Sequence, residues 1–194
     1  MSARSISDRI PVLPGAVAGV VAWLLGYLFT YVLTSSAIRS SPVRQVAEFL
    51  GASLPTWKVV GWVFFNAHFS ATTFQGLFDG ARNFVGGENG FSAVLFLVPP
   101  LLLLVAGVAV GRAAAADHDA TDAVLAGLAV VPAYFVLSVV GVFLFAVQRA
   151  GPDPVTGVFL AGLVYPAVFG VAGAVVAAWT YSGRATSSPQ GSNP

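Results

Sequence analysis

Cysteine is absent from this 194-residue chain. The chain can therefore build no disulfide framework, no thiolate nucleophile and no thiolate metal site. Charge is almost as scarce, at 9% of residues where an ordinary soluble domain has about 25%. Nine basic and eight acidic side chains cannot cover the surface of a water-soluble fold of this length, so lipid must be the solvent for much of it. A net charge of +1 offers no field for nucleic acid. Lysine occurs once, as Lys58, against eight arginines. No nucleophile–base pair, phosphate loop or metal-ligand set stands out, so neither enzyme activity nor a cofactor nor a metal is expected.

What the chain does have is long apolar runs, which predict an all-α integral membrane protein. Four runs lack any charge: residues 10–34, 91–111, 123–147 and 155–180. About 20 residues suffice to cross a bilayer as a helix. Ser35-Ser36-Ala37 would suit a signal peptidase, but the apolar part of a signal peptide is only about 7–15 residues. The first run is longer, and we read it as a retained signal-anchor. Short links at 112–122 and 148–154 make the last three spans antiparallel neighbours. Residues 1–181 are expected to form one membrane domain, a four-helix bundle, with 182–194 a disordered Ser/Gly/Pro-rich tail. Counting arginine and lysine in the short flanks only, four lie on the N-terminal side and one opposite, which supports cytoplasmic N- and C-termini in a plasma membrane.

Residues 35–90 are the one long excursion, expected on the outer face. Val43 to Leu50 spaces its apolar residues as a short amphipathic surface helix, ended by Gly51 and Pro55. Trp57 to Phe69, WKVVGWVFFNAHF, is the least bland stretch in the chain. It joins five large aromatics to Lys58, Asn66 and His68. In helical register Lys58, Trp62, Phe65, Phe69 and Thr72 fall on one stripe. Lys58 at the edge can snorkel, but the polar residues after Asn66 weigh against a lipid-facing span. We read 57–70 as a helix packed at the interface or partly inserted, folded over the bundle mouth by its aromatics; a full crossing is the alternative. Residues 79–90 read as a turn-rich loop.

Asn66 and His68, with Lys58, form the candidate polar site, because ionisable residues at membrane depth are functional by default. At the headgroups instead, His68 would be a hydrogen-bonded aromatic and no more. Gly15 and Gly19, Gly107 and Gly111, and Gly162 and Gly170 are candidate packing positions, where missing side chains let helix backbones close. They would serve within the chain or between copies. Pro100, Pro132 and Pro166 are mid-span and should kink their helices; in transporters such breaks line substrate sites. AGLAVVPA at 126–133 and AGLVYPA at 161–167 echo each other weakly, as chance in a biased composition or a duplicated helix would produce. Asp117, His118, Asp119 and Asp122 could suit a hard cation, but they lack the EF-hand pattern. Asp119, Thr121 and Asp122 serve as well as caps for the third span.

With WKVVGWVFFNAHF, IPVLPGAVAGV and LVPPLLLL in view, the chain resembles a group of haloarchaeal multi-pass membrane proteins, some labelled as transporters. The likeness covers most of residues 9–180. It implies a membrane location and, faintly, transport; it brings no site residues with it. Two functions follow as expectations. One is a small transporter-like or channel-like protein, its path near Asn66 and His68. The other is a non-catalytic subunit or scaffold whose partners are the bilayer and either further copies of itself or another membrane protein.

Overall fold

The computed structural model describes residues 10–41, 54–75, 80–88, 90–114 and 120–185. The surface helix expected at 43–50, the acidic residues 117–119 and the tail from 186 onward lie outside the described residues.

Four helical stretches are long and apolar enough to cross a membrane: Val12–Arg39, Ala93–Ala113, Ala120–Phe145 and Pro154–Thr180. They form the expected four-helix bundle. The first is one unbroken helix, α1 (Val12–Arg39). It runs past the expected end at residue 34, because Thr30 and Thr34 turn their hydroxyls onto the carbonyls of Gly26 and Thr30 at 2.8 and 2.7 Å. Hydroxyls bonded to their own helix are not left unsatisfied in an apolar surrounding.

The other three spans are each broken, and a proline stands at each break into the final helix. In the second span a 3₁₀ turn (Ala93–Leu97) leads into α3 (Val98–Ala113), with Pro99 and Pro100 in the first turn. In the third, α4 (Ala120–Leu128) stops and α5 (Val131–Phe145) restarts with Pro132 in its first turn. In the fourth, a π-helical stretch (Gly157–Val164) gives way to α6 (Tyr165–Ala185), whose second residue is Pro166. A first helical turn needs no N–H from proline, so the breaks lie where the missing donor costs least. Asp122 falls in the first turn of α4, at its positive dipole end. The last helix continues to Ala185 rather than yielding to an irregular tail at 182.

Backbone approach through glycine joins the spans. A side chain at Gly15 would strike Ala129, and one at Gly19 the carbonyl of Val130, which fixes the first span to the third. Gly107 lies on the backbone of Gly170, Gly111 on Ala174, and Gly127 on Val171, which fixes the fourth span to the second and third. Gly162 abuts Ser138 and Phe135. All six glycines named from the sequence thus pack inside one chain.

The excursion is not helical throughout. α2 (Thr56–Asn66) is followed by β1 (Thr72–Phe74) and β2 (Gly80–Arg82). A third strand, β3 (Ala150–Pro152), comes from the link between the third and fourth spans. The order is β2-β1-β3, all antiparallel, with Thr72 opposite Arg82 on one side and Pro152 on the other. Part of the supposed loop at 79–90 is therefore strand. The sheet supplies hydrogen-bond partners to backbone that leaves a helix inside the bundle, where irregular backbone is tolerated only if protein surrounds it.

Candidate functional site

α2 packs against the end of the third span through its aromatics. Lys58 at its start donates to the carbonyl of Ala146 at 2.7 Å, and Trp62 Nε1 to that of Phe145 at 2.9 Å. One turn further, the ring of Phe65 stands against Gly141 and Gly157. At the tip, His68 meets Tyr134. Eleven helical residues are too few to cross a membrane, and the chain after them is back at the span ends at once: Phe69 stacks on Phe96 near the start of the second span, and Ser70 meets Thr156 near the start of the fourth. Val60 to Ala67 are buried, as are His68, Ser70 and Thr72. The segment is a short buried helix inserted among the span ends.

The reversal is a Schellman motif in its hydrogen bonds. Ser70 N donates to Phe65 O at 3.1 Å, and Phe69 N to Asn66 O at 2.9 Å. The left-handed position of such a motif normally holds glycine; here it holds Phe69, at φ +61. A bulky side chain there costs on the order of 1–2 kcal/mol. Its ring stacks on Phe96 of the second span, centroids 4.4 Å apart and planes 5° from parallel, a contact glycine could not make.

Asn66 clamps the returning chain. Its amide nitrogen donates to Ser70 O at 2.8 Å and to Thr72 Oγ1 at 3.2 Å, and its Oδ1 accepts from Phe84 N at 2.9 Å. The backbone carbonyl of Asn66 accepts from Asn83 Nδ2 at 3.1 Å. One side chain thus ties the helix end to both arms of the hairpin. Ser70 extends the network to the fourth span. Thr156 Oγ1 donates to Asp153 Oδ1 at 2.8 Å, so it accepts from Ser70 Oγ at 2.9 Å. Asp153 also receives Thr156 N, at 2.8 Å.

Bond geometry sets the state of His68. Nδ1 lies 2.8 Å from the Phe64 carbonyl oxygen, which can only accept, so Nδ1 carries the proton. Nε2 is then a lone pair, and Tyr134 O–H donates to it at 2.7 Å. Phe64 packs edge-on at 4.8 Å and Tyr165 at 5.0 Å between ring centroids. Burial pushes the His68 pKa down from 6.5 to about 4, against the opposite pull of the Phe64 carbonyl. His68 is therefore a neutral imidazole with both nitrogens occupied, joining the turn after α2 to the third span.

Of the three polar residues named from the sequence, the fold brings Asn66 and His68 together at the tip and leaves Lys58 at the mouth. There its ammonium sits 5.3 Å from the centroid of the Trp57 ring. The stripe expected from Lys58 through Thr72 holds as far as Phe65 and breaks at the turn, where the helix ends. Tyr134, Ser138, Asp153, Thr156 and Tyr165 escaped the sequence reading. Tyr134 and Tyr165 were legible as the polar-tipped aromatics beside Pro132 and Pro166. Ser138, one turn along α5 from Tyr134, is fully buried and its Oγ has no hydrogen-bond partner. Among the described residues no group of three or more His, Asp or Glu is placed to hold a metal.

The chain belongs to a family whose description is "Family of unknown function (DUF7978)"; the family profile matches residues 1–181. No curated protein and no solved structure matches the chain.

Proposed function

We propose that this multi-pass membrane protein is a non-transporting, non-catalytic structural subunit or scaffold of a membrane assembly, seated in the plasma membrane. One observation carries the reading. The polar side chains at the end of α2 are satisfied within the protein: His68 by Phe64 and Tyr134, Asn66 by Ser70, Thr72 and Phe84. A path for solute needs polar groups that face an opening. Asn66, His68, Ser70 and Thr72 are each wholly buried. The test pairs two measurements on the full chain. Reconstituted vesicles should pass protons and small ions no faster than empty ones, and extraction in a mild detergent should bring down a stoichiometric membrane partner. Flux above the empty-vesicle rate overturns the reading.

A transporter-like or channel-like role is the second reading, favoured by Ser138. A hydroxyl buried without a partner costs about 1–3 kcal/mol. It faces Gly162 in the π-helical stretch, and π-helical turns are frequent at functional sites. On this reading flux exceeds background and falls in Ser138→Ala.

A further inference from the structure

A groove of about 460 Å³ opens along one side of the molecule between the first and second spans. Its walls are Leu13, Val17, Val21 and Leu25 from α1, and Val105 and Ala109 among others from α3. Glycine packing explains why it exists. Gly15 and Gly19 draw α1 onto the third span, while Gly107 and Gly111 draw α3 onto the fourth. The two helices are pulled toward different partners and part from one another at the end away from the excursion.

The groove runs about 18 Å along α1, from residue 13 to residue 25, a length that an extended hydrocarbon chain can follow. The walls offer no polar group that would select a solute. Charge stands at the rim. Val105, Ala109 and Arg112 share one stripe of α3 at helical spacing; the first two line the groove, and Arg112, exposed, continues their stripe one turn beyond it. Guanidinium groups bind phosphate in two-pronged fashion.

We infer that this groove is a site for one tail of an anionic phospholipid, with the headgroup phosphate on Arg112. The chain has no cysteine, so Ala109→Cys can carry a single fluorophore at the exposed groove wall. The labelled full-length protein is placed in vesicles of phosphatidylcholine and phosphatidylglycerol, with brominated tails on one lipid or the other. At equal mole fraction, brominated phosphatidylglycerol should quench about threefold more effectively than brominated phosphatidylcholine, the size of one exposed ion pair. Arg112→Gln should remove that preference, and a label at Val140→Cys, on an open face of the third span, should show none. Equal quenching by both lipids at position 109 overturns the proposal. So does spontaneous disulfide dimerisation of unlabelled Ala109→Cys in the membrane, which would give the groove to a second copy. Native mass spectrometry of the unsubstituted protein tests the same site without any variant: one retained phosphatidylglycerol supports it, and none retained overturns it.

Discussion

At the end of the bundle where α1 begins, helix touches helix through glycine; at the other end, the spans touch side chains carried in by the excursion. The contrast follows from the solvent. Lipid tails are as apolar as leucine, so hydrophobicity does not draw one span to another, and what remains is close packing and hydrogen bonding. Gly15, Gly19, Gly107, Gly111, Gly127 and Gly170 supply the first. Asn66, His68, Ser70, Tyr134 and Thr156 supply the second. Aromatic packing of Trp23, Tyr27, Phe64 and Phe145 fills the space between these bonds. The glycine end tolerates no added bulk, and the excursion end tolerates no lost partner.

The sharpest way to break that contrast is to add bulk at the glycine end. In Gly107→Leu the new Cβ would meet the backbone of Gly170, which cannot rotate aside as a side chain can. The expected loss exceeds about 4 kcal/mol, seen as failure to recover monodisperse protein from detergent. Ala109→Leu, two residues on but in the groove wall, should cost less than about 1 kcal/mol. If both variants behave alike, close backbone contact is not what holds this end.

Removing a partner at the other end should rank next. Asn66→Leu keeps the volume and deletes the clamp, leaving Phe84 N, Ser70 O and Thr72 Oγ1 without these bonds. A loss of about 3 kcal/mol or more is expected from three orphaned polar groups, measured by denaturant titration in mixed micelles. Proteolysis within 80–90 should rise in parallel, because the hairpin is no longer tied to the helix end.

Acid acts on the excursion end through His68. His68 titrates near 6.5 when unfolded and near 4 when folded. Between those values the unfolded chain binds the proton and the folded one does not. Stability is therefore complete above about pH 6.5 and falls as pH drops toward 4, by about 1.4 kcal/mol per unit and roughly 3 kcal/mol in all. Protonation would also turn Nε2 into a donor facing a hydroxyl that now donates to it. His68→Phe should flatten this dependence in the same titration, at the expense of a lower plateau at neutral pH. An unchanged acid slope would assign it to other groups.

The glycine end was the more legible of the two in the sequence. A run of uncharged residues is a local property, and Gly-x-x-x-Gly spacing names the close face before any partner is known. The excursion end depends on distant pairs. His68 and Tyr134 are 66 positions apart, and Ser70 and Thr156 are 86. Nothing near Thr72 announces that Pro152 will pair with it as a strand. Helical periodicity carried the stripe from Lys58 to Phe65, then failed at Phe69, because a phenylalanine in the left-handed position gives no signal where a glycine would. Asn66 and His68 were singled out for their chemistry as a candidate site, whereas the fold gives both of them anchoring contacts.

Lys58 offers the smallest effect and the finest test. It belongs to α2, yet it stands at the mouth, half-exposed, with its ammonium on the last carbonyls of α5. A cation is favourable at the negative end of a helix dipole, and water competes for both groups there. Lys58→Met keeps the apolar stem and deletes the charge; it should cost about 1 kcal/mol and leave the acid dependence of His68 intact. Arg82→Met, on the exposed strand β2, should cost less than about 0.5 kcal/mol. This order, with Asn66 far above Lys58 and Lys58 a little above Arg82, is what anchoring at the buried tip requires. Were Lys58→Met to cost as much as Asn66→Leu, the excursion would be held at its mouth, and the hydrogen bonds at its tip would be a consequence of insertion instead of its cause.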